Sequence, residues 1–303
     1  MNINFDGKVA IVTGAGGGLG RCHALDLAKR GAKVVVNDLG GNVDGSDDGS
    51  LSAAEKVVEE IKAAGGEAMS NGASVTDVAQ VEEMVKQTMD AYGRIDILIN
   101  NAGILRDKSF SKVTDEDFRM VLEVHLMGTV NCTKAVWEIM KEQNYGRIVV
   151  TSSSSGLYGN FGQANYGAAK AGIAGFTRSL SFEMAKYKCT VNTISPGAAT
   201  RMTIDLIKAA GRDVDVNDWK QGPQQLAPVI TWLCCDEASD VTNQIIHVQN
   251  GTVGIMQQPA VIESFLSEEL WSLDQLDRVI GNLVETKKNH DSEVQKKAEP
   301  KKS

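Results

Sequence analysis

Short apolar runs rich in Val and Ile alternate with segments of helical period along most of this chain, and no other feature narrows its possible folds so far. Seven such runs fall at 8–13, 33–37, 67–73, 94–100, 147–151, 190–195 and 244–249. Several are nearly continuous in apolar residues, as strands buried on both faces must be. Helical patterns fill the gaps, at 19–30, 51–64, 77–92, 115–141, 164–186 and 224–238. Thr76 and Thr114 stand where N-caps belong, Thr114 with Asp117 at capping-box spacing, and Gly31, Gly65 and Gly93 stand where helices should stop. Repeated β-α units with right-handed crossovers predict a parallel sheet with helices on both faces. No linker or repeat interrupts this rhythm, so residues 1–255 are expected to form one domain. The polar excursion 200–223 follows a strand, a place where insertions often close over a ligand. Residues 256–286 are expected to form a helical extension around Phe265, Leu266, Trp271, Leu273, Leu276 and Ile280. The Lys/Glu-rich stretch 287–303 is expected to be disordered.

Composition removes several function classes. Lys and Arg number 31 against 39 Asp and Glu, a net charge of −8 at pH 7. That argues against a nucleic-acid binder and against a protein held on anionic lipid. No apolar run approaches the ~20 residues of a membrane span, and the N-terminus lacks a basic-then-apolar signal pattern. Five Cys and four His show no metal-ligand spacing, so no metal is expected. A cytoplasmic location is expected from these readings, or a peroxisomal one if the chain belongs to a longer protein.

The first strand runs into Thr13-Gly-Ala-Gly-Gly-Gly-Leu-Gly20 and then a helix. Glycines at such a turn let the backbone approach a pyrophosphate, and the helix start offers free N–H groups to it. The spacing is G-x-x-x-G-x-G on Gly14, Gly18 and Gly20, with Leu19 between the last two. The second strand ends in Asp38, 24 residues after Gly14. A carboxylate there can accept both ribose hydroxyls of NAD and would repel a 2′-phosphate. No Lys or Arg stands in the 15–17 turn, and Arg21 reads as helix surface. The cofactor expected is therefore NAD.

Four further motifs follow in order: Asn100-Asn101-Ala102-Gly103 closing the fourth strand, Ser153 in the Ser-rich end of the fifth, Tyr166-Gly-Ala-Ala-Lys170, and Pro196-Gly197 closing the sixth. Tyr166 and Lys170 are one helical turn apart and share a face. With T-G-x-x-x-G-x-G, this combination resembles the short-chain dehydrogenase/reductase family over roughly residues 5–255. The resemblance implies a single Rossmann-type, doubly wound α/β domain with a seven-stranded parallel sheet, in agreement with the strand count. It implies that Tyr166 exchanges a proton with a substrate alcohol or carbonyl and that Ser153 holds the same oxygen. In this reading the Lys170 ammonium lowers the phenol pKa and also binds the nicotinamide ribose. It further places Ser74, Val75, Asn101, Ala102, Gly103, Pro196, Gly197 and Thr200 along the cofactor. An Asn frequent in the family's fourth long helix is replaced here by His125, which reads either as a packed helix histidine or as part of a modified proton relay. A homodimer or higher homo-oligomer is implied, with helices 115–141 and 164–186 paired across a two-fold axis.

Longer stretches, Val34–Gly41, Asn100–Phe110, Tyr158–Tyr166 and Arg201–Thr203, are similar to the family branch that oxidises (3R)-3-hydroxyacyl-CoA to 3-oxoacyl-CoA. Leu105, Tyr158, Phe161, Met202 and Ile204 flank the motifs and would line an acyl channel, with ordinary packing the competing reading. Arg106, Lys108, Arg201 and Lys208 are candidate partners for CoA phosphates. Other readings are a hydroxysteroid, steroid side-chain acyl-CoA or other secondary-alcohol dehydrogenase, a 3-oxoacyl-carrier-protein reductase, and a non-catalytic dinucleotide-sensing protein.

Overall fold

The computed structural model describes residues 3–46, 50–200, 203, 204, 208, 211 and 213–297. Two compact units divide between Met256 and Gln257. In the first, the strands are β1 (Val9–Thr13), β2 (Lys33–Asn37), β3 (Glu67–Asn71), β4 (Ile97–Asn100), β5 (Gly146–Thr151), β6 (Cys189–Gly197), β7 (Ile245–Gln249) and β8 (Thr252–Ile255). They form one sheet in the order β3-β2-β1-β4-β5-β6-β7-β8. The first seven run parallel, as the repeated β-α pattern predicts. The eighth is an addition to the seven-strand expectation and lies antiparallel to β7. It turns back through Asn250 (φ 50°) and Gly251 (φ 75°), the positive-φ pair that a tight hairpin requires.

The helices of this unit are α1 (Gly18–Lys29), α2 (Ser52–Ala63), α3 (Val78–Tyr92), α4 (Asp115–Leu122), α5 (Gly128–Gln143), α6 (Ser154–Tyr158), α7 (Ala164–Met184) and α8 (Ala227–Cys234). Burial on two faces explains the unbroken apolar strands. Ala10, Val12, Val34, Val36, Ile97 and Ile99 pack with Leu27 of α1, Ile61 of α2 and Leu233 of α8. The alternate residues Ile11, Val35, Leu98, Ile148 and Val150 pack with Met84 of α3, Val136 of α5 and Met184 of α7. Cys234 and Cys235 belong to the first of these layers.

Local expectations are corrected at three places. Asp77, not Thr76, caps α3: its carboxylate accepts from the N–H groups of Ala79 and Gln80 at 3.0 and 3.2 Å. Thr114 does cap α4, accepting from Asp117 N at 3.1 Å, while the Asp117 carboxylate turns to Arg106 and Lys108. The long helix expected over 115–141 is interrupted by a π-helical turn, Glu123–Met127. One wider turn lets the ladder slip by a residue, and Thr129 Oγ1 donates to the His125 carbonyl at 2.7 Å.

In the second unit, helix α9 (Leu273–Lys297) begins later than the expected extension and continues into the stretch expected to be disordered. Lys, Glu and Gln favour a helix there, and Lys287 pairs with Asp291 one turn on.

Candidate active site

The strand order reverses at β1, whose neighbours are β2 and β4, and a crevice opens beyond the carboxyl ends of these strands. It holds a cavity of about 360 Å³ lined by Gly14, Gly17, Gly18 and Leu19, the end of β2 at Asp38, Ser74–Thr76, Asn101–Ile104 and Thr200. Thr13 ties the two strand ends together. Its Oγ1 accepts from the N–H groups of Asn101 and Ala102 at 3.0 and 3.1 Å. Asn101 Nδ2 returns the contact by donating to the Thr13 and Gly14 carbonyls at 3.1 and 3.0 Å. Gly14 has φ +62°, and a Cβ there would meet Ala102 Cα at 2.8 Å, so only glycine lets the loops close this far. A Cβ on Gly20 would overlap the Gly14 carbonyl. The start of α1 has no side-chain cap, which leaves its first N–H groups to a ligand.

Asp38 is held from two sides. Its Oδ2 accepts from Gly16 N at 2.7 Å and its Oδ1 from Gly40 N at 2.6 Å. The buried Asn37 amide donates to Asn71 Oδ1 and the Ala73 carbonyl at 3.0 and 2.9 Å, and so places Ser74 and Val75. Asn131 of α5 donates to the Val75 carbonyl at 3.0 Å. Neither asparagine stands out in the sequence, because each acts across strands or helices distant in the chain. The loop after β2 also lines the cavity, through Leu39, Gly41, Asn42, Val43 and Gly45. It is pinned by Leu105 N to the Val43 carbonyl at 2.9 Å and by Arg106 Nε to the Asp44 carbonyl at 2.8 Å.

Met120, Val124 and Ile104 also line the cavity, and Tyr166 packs into the small apolar cluster around Ile104, Val121 and Ala169 that Met120 and Val124 join. Ser153 lies close enough to the Tyr166 side chain to lower its phenol by hydrogen bonding. Ser153 caps α6, accepting from Ser155 N at 3.2 Å. Lys170, one turn along α7, donates from Nζ to the Thr151 carbonyl at 2.6 Å and lies 5.6 Å from the Tyr166 ring centroid. Burial dominates both titrations. It pushes the Tyr166 phenol up to about 12, against the pull of Ser153, and the Lys170 amine down to about 7. The expectation that Lys170 brings the phenol below its ordinary value is therefore not met in the protein by itself. With a value of about 7, the desolvated lysine carries its proton about half of the time at pH 7.

His125 sits in the π-helical turn. Its Nε2 lies 2.7 Å from the Ile104 carbonyl, its ring meets that of Tyr166 edge-on at 5.1 Å, and its Nδ1 is buried without a partner. Burial holds the imidazole well below its usual value and hence neutral. A Cβ on Gly103 would overlap this ring, so the glycine of Asn-Asn-Ala-Gly is what admits His125.

The remaining expected residues scatter. Tyr158 and Phe161 are 78% and 91% exposed and stand outside the cavity lining. Leu105 is half-buried and is absent from the cavity lining, as are Pro196 and Gly197 at the end of β6. Ile204 is half-buried and Lys208 exposed, while Met202 and Arg201 lie outside the described residues. Arg106 and Lys108 are both engaged by Asp117.

A family model described as short chain dehydrogenase matches residues 8–210. The chain is 49% identical over 257 residues to the peroxisomal multifunctional enzyme type 2 of Mus musculus, covering 83% of this chain and 33% of that protein. It is 50% identical over 251 residues to the peroxisomal hydratase-dehydrogenase-epimerase of Neurospora crassa, covering 83% of this chain and 27% of that protein. It thus spans a third or less of the length of these curated relatives. A solved short chain dehydrogenase from Mycobacterium avium superposes with a TM-score of 0.80 at 39% identity, over 92% of this chain and 95% of that one.

Proposed function

The chain belongs to the short-chain dehydrogenase/reductase family, and on that premise we propose that it oxidises (3R)-3-hydroxyacyl-CoA thioesters to 3-oxoacyl-CoA with NAD, Tyr166 taking the alcohol proton. The observation that carries this reading is Ser153 set against Tyr166, whose phenol it lowers, with Lys170 one helical turn on and Tyr166 packed into the apolar cluster that includes Ile104 of the cavity lining. The cavity suits a dinucleotide: its lining combines glycine backbone, a fixed carboxylate at the second strand, and apolar Met120, Val124 and Ile104. Gly14, Gly18, Leu19 and Gly20 would hold the pyrophosphate, Asp38 the adenosine ribose, Ser74 and Val75 the adenine, and Asn101–Gly103 and Thr200 the nicotinamide half. When bound, the nicotinamide supplies the hydride acceptor.

The chain's own residues handle the proton. Ser153 Oγ holds the substrate oxygen beside the Tyr166 hydroxyl. Tyr166 needs help to lose its proton at neutral pH, since burial holds it high. Ser153 gives part of that help, and Lys170 gives more whenever it is protonated, which a pKa of about 7 allows near neutrality. His125, neutral, shapes the wall behind the Tyr166 ring.

The choice of NAD over NADP rests on Asp38. Its carboxylate is fixed by two backbone N–H groups, and Arg21, the nearest cation in sequence to the Gly loop, is engaged with Glu60. A 2′-phosphate would meet a negative charge without a compensating cation. The substrate class rests on the similar stretches quoted above and on the Neurospora relative's name. A dehydrogenase joined to a hydratase fits a hydroxyl that arises by hydration of an enoyl thioester. The relatives' names favour a peroxisomal location over a cytoplasmic one.

The test is NAD(P)H formation by the purified protein with a medium-chain (3R)-3-hydroxyacyl-CoA, its (3S) epimer and a hydroxysteroid, each with NAD and with NADP. Turnover of the (3R) thioester with NAD is expected. Preference for the steroid would discard the fatty-acyl assignment and keep the hydride chemistry. Equal efficiency with NADP would discard the role of Asp38.

A further inference from the structure

Asp107 lies four residues beyond Gly103, on the loop that leaves β4. Its Oδ2 accepts from Gln163 Nε2 at 2.6 Å, and its Oδ1 is buried with no partner. An orphaned carboxylate oxygen is costly, and buried groups of this kind concentrate at functional sites. The same Gln163, itself buried, accepts at Oε1 from Ser155 Oγ at 2.7 Å and from Asn160 Nδ2 at 2.9 Å. Ser155 N in turn donates to Ser153 Oγ at 3.2 Å. A continuous polar chain therefore runs Asp107–Gln163–Ser155–Ser153. A second tie closes the arrangement: Asn165 Nδ2 donates to the Arg106 carbonyl at 3.0 Å, and Asn165 Oδ1 accepts from Tyr166 N at 2.8 Å. The loop after β4 thus holds the start of α7 at two residues just ahead of the tyrosine.

We propose that Asp107 is a positioning residue for proton transfer: through Gln163 and Ser155 it aims the Ser153 hydroxyl beside Tyr166. The inference rests on Tyr166 acting as acid and base, but not on an acyl-CoA being the substrate. Other charges near Asp107 are already committed. Arg106 and Lys108, its chain neighbours, both pair with Asp117 of α4. Asp44, on the loop after β2, meets Arg106 through its carbonyl. Segment 154–165 carries no titratable side chain except the exposed Tyr158. His125 is neutral, and Lys170 binds the Thr151 carbonyl. Among the described residues Tyr166 is then the titrating group left to feel Asp107, whose carboxylate raises the phenol. Burial also raises Asp107 itself, while Gln163 lowers it.

Two substitutions separate the two effects. Asp107→Asn keeps the volume and an acceptor for Gln163 Nε2 but removes the charge. The rising limb of kcat/KM against pH for alcohol oxidation should move to lower pH by about one unit, with the plateau kept within about threefold. Asp107→Ala removes the acceptor as well, and its plateau should fall at least about tenfold. Gln163→Ala should lower the plateau equally. Thermal melts show whether each variant is folded. If the protein turns over no 3-hydroxyacyl-CoA, the substrate reading fails. Asp107 is then read on whichever secondary alcohol is accepted, or by tyrosinate absorbance of wild type and Asp107→Asn, each against its Tyr166→Phe counterpart. An unmoved limb or tyrosinate midpoint in Asp107→Asn overturns the electrostatic role, and an unchanged plateau in folded Asp107→Ala overturns the positioning role.

Discussion

Lys170 shows most directly what the site costs the fold. It is fully enclosed, its amine is pushed down to about 7 by desolvation alone, and its one hydrogen-bond acceptor is a strand carbonyl. A lysine with a folded pKa below its unfolded value of 10.5 binds fewer protons folded than unfolded between those limits. Stability therefore rises with pH across that window, and the penalty is largest below pH 7. Lys170→Met should be more stable than wild type by about 2 kcal/mol near pH 7. Urea melts should show the gap narrowing as pH rises toward 10.5, while kcat falls by at least about a hundredfold. A Met variant less stable than wild type would refute the reading. Ser153, Tyr166 and Lys170 could be singled out from the sequence because their spacing is local, and the structure brings the three side chains together. Asp107 could not. Its relation to Ser153 passes through Gln163 and depends on how two loops meet, which no spacing along the chain records.

Among the elements, the strands were the most legible because two-sided burial writes itself as an unbroken apolar run, as in Val34-Val35-Val36 and Ile97-Leu98-Ile99. Less legible was the π-helical turn, since Val124-His125-Leu126-Met127 keeps an ordinary helical pattern of apolar residues. The wider turn leads directly into Gly128, which lies so close to Val75 that a Cβ would meet it at 2.6 Å. Strand β8 has only four residues, three of them exposed, so its Asn250-Gly251 turn was a stronger signal than its own pattern. The joint between β1 and β4 is where element packing becomes binding geometry. Thr13 Oγ1 accepts from two amides of the Asn-Asn-Ala-Gly segment. Thr13→Val preserves shape and β propensity but leaves both amides without an acceptor. A loss of about 2–3 kcal/mol in unfolding free energy is expected, with Thr13→Ser close to wild type. NAD affinity should fall with it, because Gly14 and Ala102 meet at this joint. Unchanged affinity in a destabilised Thr13→Val would confine the threonine to structure.

For the whole molecule, the expectation from the family resemblance is an assembly in which helices 115–141 and 164–186 pair with their copies. The surface of α7 carries a feature that a lone chain does not need. Phe182 is 74% exposed, on a helix whose other face is committed to the core through Ile173, Leu180 and Met184. An isolated exposed aromatic is ordinary, but large aromatics are also the side chains that most often anchor a protein–protein contact. If the chain self-associates through α7, light scattering should give at least twice the chain mass at micromolar concentration. Phe182→Asp should then weaken association by at least about tenfold while leaving the melting transition of the dilute protein in place. Because Ser153, Tyr166 and Lys170 all lie within one chain, the dissociated variant should keep NAD binding, and its kcat should fall only as far as pairing steadies α7 beneath Tyr166. A Phe182→Asp protein of unchanged mass would move the contact to another surface. A wild type that remains monomeric would remove self-association from the account without touching the chemistry.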